Sequence, residues 1–91
     1  MIDSEKEMKD LAICLSRNLV LCMCYGKPIK NNELSKKSGV SLAVITRIKN
    51  DWQGKEKVQL ETVVKLAAAL NVEAVDLLSK NSIYQKLEGT A

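Results

Sequence analysis

The stretch that decides the fold is Asn31-Asn32-Glu33-Leu34-Ser35-Lys36-Lys37-Ser38-Gly39-Val40-Ser41-Leu42-Ala43-Val44-Ile45-Thr46-Arg47-Ile48-Lys49-Asn50. Asn31 to Ser38 reads as a short helix that turns Leu34 inward and leaves small Ser35 on the adjoining face. Gly39 follows as the residue that takes left-handed backbone at a helix end without steric cost. Val40 re-enters the core, and the Ser41 hydroxyl caps a second helix over Leu42 to Asn50, with Ile45 and Ile48 inward. Ser35 lets the two helices cross closely, Gly39 turns the chain sharply, and the aliphatic residues hold the crossing angle.

Two short helices joined in this way form a helix-turn-helix, whose second helix fits the major groove of DNA. Upstream, the sequence predicts a long helix over about Ser4 to Tyr25, capped by Asp3 or Ser4 and ended by Gly26 and Pro28. Leu11, Leu15, Leu19, Cys22 and Met23 make its inward stripe, while Ile13, Val20, Leu21 and Cys24 lie off it. A helix this apolar on several sides is covered on a second side, by the rest of the chain or by another protomer.

Downstream, Asp51 to Gln59 has no helical period and reads as a loop. Leu60, Val63, Leu66, Ala67 and Leu70 then repeat at three and four, with Asn71 as a left-handed stop. Val72, Val75, Leu77 and Leu78 mark a short fifth helix, and Ile83, Tyr84 and Leu87 continue at helical spacing before a fraying end. No strand pattern, repeat or low-complexity segment is visible.

At 91 residues the chain has room for one domain, and 46% apolar with 27% charged residues is the composition of a folding, soluble protein. There is no histidine and no Gly-rich phosphate loop, so the reading is non-enzymatic, with no cofactor and no metal. The apolar stretch Leu11 to Tyr25 is broken by Ser16, Arg17 and Asn18 and falls short of the ~20 residues of a membrane span. The acidic start is unlike a signal peptide, which leads to an expectation of a cytoplasmic protein. The three cysteines, Cys14, Cys22 and Cys24, point in different directions round the helix. They read as buried or half-buried free thiols, with redox sensing or soft-metal binding as the alternative.

Charge is unevenly placed. Arg17, Lys27, Lys30, Lys36, Lys37, Arg47, Lys49, Lys55 and Lys57 face only Glu33, Asp51 and Glu56 in the middle of the chain, while both flanks are net acidic. That pattern suits a polyanion-binding surface, although lysines solvated on unrelated faces give the same arithmetic.

Across about Leu15 to Leu78 the chain resembles the XRE family, the lambda-repressor and Cro-like helix-turn-helix domains. Asn18-Leu19 with Cys22-Met23 resembles the end of that family's first helix, and Asn32 to Ser41 its second helix and turn. Leu60-Glu61-Thr62-Val63 through Leu66 to Val72 is similar to its fourth helix, and Asp76-Leu77-Leu78 to its fifth. The resemblance implies an all-α, compact five-helix bundle with an extended first helix. Residues 1–14 would be the N-terminal extension of that helix, 15–79 the DNA-binding domain, and 80–91 a partly helical tail and candidate dimer contact.

By position in the family, Ser41, Leu42, Ala43, Thr46 and Arg47 would face base edges. Asn31, in the place of a phosphate-contacting glutamine, would contact the DNA backbone, together with Lys49, Asn50, Trp52, Lys55 and Lys57. The chain departs from the family in three ways. Leu42, Ala43 and Val44 stand where polar residues are frequent, so polar readout falls on Arg47 with Ser41 and Thr46 in support. Met23 and Lys49 replace an arginine–glutamate pair, both partners together, so no buried charge is orphaned. The loop after the third helix is longer than usual and carries Trp52, read first as a lid on the bundle and second as a DNA contact.

The leading functional reading is a sequence-specific transcriptional regulator of double-stranded DNA, a repressor acting as a homodimer on a two-fold operator. The alternative is a protein-interaction module, or an antitoxin, that uses the same fold to hold a protein partner through the apolar Leu42-Ala43-Val44. Two dimer surfaces offer themselves: the outer side of the first helix, with Ile13, Val20, Leu21 and Cys24, and the tail, with Ile83, Tyr84 and Leu87.

Overall fold

Asp3 begins the first helix by accepting the Glu5 and Lys6 N–H groups on its side chain, at 3.0 and 3.4 Å for Oδ1. These are two of the donors a helix start leaves without partners. The computed structural model describes residues 2–25, 28–80 and 83. In them, five helices follow one another: α1 (Ser4–Cys24), α2 (Asn31–Ser38), α3 (Leu42–Lys49), α4 (Leu60–Ala69) and α5 (Ala74–Leu78). There is no strand among the described residues, and the bundle is all-α as the sequence predicts.

α1 packs on α3 and α5, α2 on α3 and α4, and α4 on α5. Leu15, Leu19, Met23, Leu34, Ile45, Ile48, Leu66 and Leu77 meet at the centre. A leucine or isoleucine buried this completely contributes about 1.5–3 kcal/mol, and trimming one to alanine costs about 2–5 kcal/mol.

The turn between α2 and α3 is built as expected. Gly39 sits at φ 78°, and its N–H donates to the Ser35 carbonyl. Ser35 Oγ in turn donates to the Val40 carbonyl at 2.6 Å. Ser41 Oγ accepts the Val44 N–H at 3.3 Å and caps α3. Asn71 occupies the left-handed region at φ 59°, ending α4 as predicted.

Several placements differ from the sequence reading. Leu11, set on the inward stripe of the first helix, and Leu60, in the three-and-four repeat of the fourth, are 40 and 71% exposed, and Val75 of the fifth is 63% exposed. Leu11 and Leu60 face one another across an open apolar groove that Met8, Val58 and Leu78 also line. Cys22 is half-buried, not part of the sealed stripe, and Cys24 is exposed.

Three buried polar residues that periodicity did not single out, Asn18, Asp76 and Ser16, hold the bundle together. Asn18, buried in α1, donates from Nδ2 to the carbonyls of Leu77 (2.8 Å), Ser79 (2.9 Å) and Asp76 (3.2 Å), closing the open end of α5. The buried Asp76 carboxylate accepts the Glu73 N–H at the start of α5. Ser16 Oγ donates to the Lys49 carbonyl at the end of α3, fixing that helix against α1. Beyond α5, Ile83 is buried in the core, so this side chain faces its own chain. Gly26, Tyr84 and Leu87 lie outside the described residues. Among the described residues, no helix is long and apolar enough to cross a membrane.

Candidate nucleic-acid interface

The exposed face of α3 follows from its period. Ile45 and Ile48 are sealed in the core and Val44 packs partly against it, so Leu42, Ala43, Thr46 and Arg47 stand outward, with Asn50 one turn further on. Leu42 is 47% exposed. Thr46 donates its hydroxyl proton to the Leu42 carbonyl at 3.0 Å, leaving an acceptor oxygen and a methyl group for a ligand. Ser41, exposed at the front of the helix, uses its oxygen as a cap acceptor and keeps its O–H to donate. Arg47 is therefore the one long donor on this face.

The residues expected near the DNA backbone fall into two groups. Asn31 and Lys49 lie together, Lys49 Nζ donating to Asn31 Oδ1 at 2.7 Å. Asn50, Trp52 and Lys55 line an open cleft of about 360 Å³ with Thr46 and Arg47. Lys57 lines the adjacent cleft, again with Arg47.

The loop between α3 and α4 is organised by Asp51, a residue the sequence reading passed over. Its carboxylate is buried and accepts the Lys55 N–H on Oδ1 (2.7 Å) and the Glu56 N–H on Oδ2 (3.0 Å). The Asp51 carbonyl also accepts the Gly54 N–H at 3.1 Å, closing a turn with Trp52 and Gln53 at its centre. An aspartate followed three residues later by glycine is a local turn signal, and it was legible. Trp52 is 75% exposed, which overturns its reading as a lid: the turn that Asp51 closes carries the indole away from the bundle.

No group of three or more potential metal-binding side chains occurs among the described residues. Burial, and secondarily the charge of Asp76, pushes the Cys22 thiol up from 9.0 to about 11, so at neutral pH it is not a thiolate.

A helix-turn-helix with a polar-edged, outward second helix and basic residues on the following loop defines a DNA-binding domain. Residues 21–81, about two thirds of the chain, match the family model of the Cro/C1-type HTH DNA-binding domain, and the chain belongs to that family. Comparison with curated proteins and with solved structures gave no match.

Proposed function

We propose that the protein is a transcriptional repressor that binds a two-fold operator as a homodimer, with α3 in the major groove. The observation that carries this reading is the shared surface of Thr46, Arg47, Asn50 and Lys55, where the outward face of α3 runs into the loop that carries Lys55 and Lys57. Arg47 reads a base edge, and Leu42 and Ala43 pack on thymine methyl groups. Asn31, Lys49, Asn50, Lys55 and Lys57 hold the backbone on either side. Two copies about 34 Å apart would read one face of the duplex, which is why a dimer accompanies the reading. The reading places the protein with DNA in the cytoplasm.

Binding selection on random duplexes, followed by affinity measured over a salt series, tests it. With about four to six phosphates neutralised per protomer, the log–log salt slope of a dimer is on the order of −7 to −11. A flat salt response and no enriched sequence would discard the reading. The exposed Leu42 and Ala43 also suit contact with a protein partner, as in an interaction module or an antitoxin, and that reading gains if the purified chain selects no DNA.

A further inference from the structure

Trp52 is the single tryptophan of the chain, and a large apolar ring held 75% in solvent by a hydrogen-bonded turn is costly to leave uncovered. The turn is rigid. Asp51 donates its N–H to the Ile48 carbonyl at 3.1 Å and accepts three N–H groups, from Gly54, Lys55 and Glu56. The far side of the turn is seated on the N-terminal half of α1. Gly54, at φ 72°, approaches so closely that a Cβ there would lie 2.6 Å from the Lys9 carbonyl oxygen and 3.0 Å from Ile13 Cγ1. Lys9 and Ile13 precede the residues that match the family model, so the extended first helix supplies a buttress for the long loop.

We propose that this loop is a fixed arm, propped by the N-terminal half of α1, that lays the Trp52 indole against the deoxyribose edge of the duplex flanking the bases read by α3. The inference rests on the DNA-binding reading above and adds to it an apolar contact. The charge around the indole selects the occupant. Arg47 and Lys55 share its cleft, the buried Asp51 carboxylate is taken up by backbone N–H groups, and Glu56 is the one other acid there. The two cations and two carboxylates balance in number, but Arg47 and Lys55 are exposed while Asp51 is buried and Glu56 half-buried, so the outer edge is cationic. A cationic edge beside an apolar ring suits a polyanion that also presents apolar faces, and a duplex offers both in its sugars and phosphates. Any duplex seated on Thr46 and Arg47 passes the same cleft.

A contact of this kind adds affinity without reading sequence and without releasing counterions. The full-length chain, titrated with its selected duplex and an unrelated one, tests it through duplex anisotropy and tryptophan emission together. Trp52→Ala is expected to weaken both duplexes by a similar factor, roughly five- to fifty-fold, with the salt slope unchanged, and Trp52→Phe to recover most of the loss. Emission of the native chain should change on binding duplex and stay unchanged with inorganic polyphosphate. Because the side chain is exposed, circular dichroism of Trp52→Ala should match the native protein. Tight duplex binding with unaltered emission and undiminished Trp52→Ala affinity overturns the arm and leaves the DNA-binding reading standing. An equal response to polyphosphate also overturns it, as charge alone then suffices. If the native chain binds neither duplex, both inferences fall.

Discussion

Lys49 Nζ donates to Asn31 Oδ1 across 2.7 Å, joining the last residue of α3 to the first residue of α2. The bond spends the oxygen of the Asn31 carboxamide and leaves its NH₂ group as the donor for a phosphate. It also holds the Lys49 ammonium beside the positive end of α2, where an anion is favoured. Two residues placed separately at the DNA backbone by position thus act as a unit.

Asn31→Ala and Lys49→Ala should each weaken binding to all duplexes alike, and Lys49→Ala should reduce the salt slope by about one. A double-mutant cycle read by DNA affinity should give a coupling above about 0.5 kcal/mol. Asn31→Asp is the discriminating variant. It strengthens the pair with Lys49 while adding a negative charge at the phosphate, so binding should fall further than in Asn31→Ala with no loss of thermal stability.

Arg47 and Lys55 line the same cleft but stand on different elements, one on α3 and one on the loop. Arg47→Ala should relax base preference at one position of each half-site, at a cost of about 1–3 kcal/mol, and Lys55→Ala should weaken every sequence similarly. Repeating the duplex selection with each variant separates the two. A uniform loss in Arg47→Ala would remove that side chain from the base-reading set.

Gly39 and Gly54 both have positive φ, yet their surroundings differ. A Cβ at Gly39 meets nothing within 4 Å, so Gly39→Ala bears only the left-handed backbone penalty of about 1–2 kcal/mol. At Gly54 the same penalty adds to a backbone clash with the Lys9 carbonyl. Thermal unfolding should therefore show Gly54→Ala as the more damaging change, and equal losses would argue against a loop seated on α1.

Cys22 and Cys24 should differ in reactivity. With the Cys22 thiol raised to about 11 by burial and by Asp76, a thiol reagent at pH 8 should label exposed Cys24 well before Cys22. The folded chain favours the neutral thiol. Its contribution to stability is complete below the ordinary value of 9.0 and is lost as pH rises through about 11. Comparing Cys22→Ala with the native chain in melts from pH 8 to 11 isolates this effect, and the native chain should show the steeper alkaline decline.

Whatever hydrogen bonds and steric rules dictate within one turn of chain was legible from the residues alone. Asp3, Ser41, Gly39 and Asn71 mark helix ends through their own side chains or backbone freedom, and the period of Ile45 and Ile48 fixes which side of α3 faces out. Those rules reach about four residues along the chain. Which apolar sides find cover depends instead on how the helices pack. Leu11, Leu60 and Val75 stay exposed among the described residues, while Ile83 reaches the core from beyond α5. Asn18 meets its acceptors, and Ser16 the Lys49 carbonyl, 33 to 61 residues away in sequence, where no local pattern reports the partner. The interface divides in the same way. The outward residues of α3 are legible from helical spacing, but the direction of Trp52 is not, because it depends on a turn closed by Asp51 and seated on Lys9 and Ile13 of a distant helix.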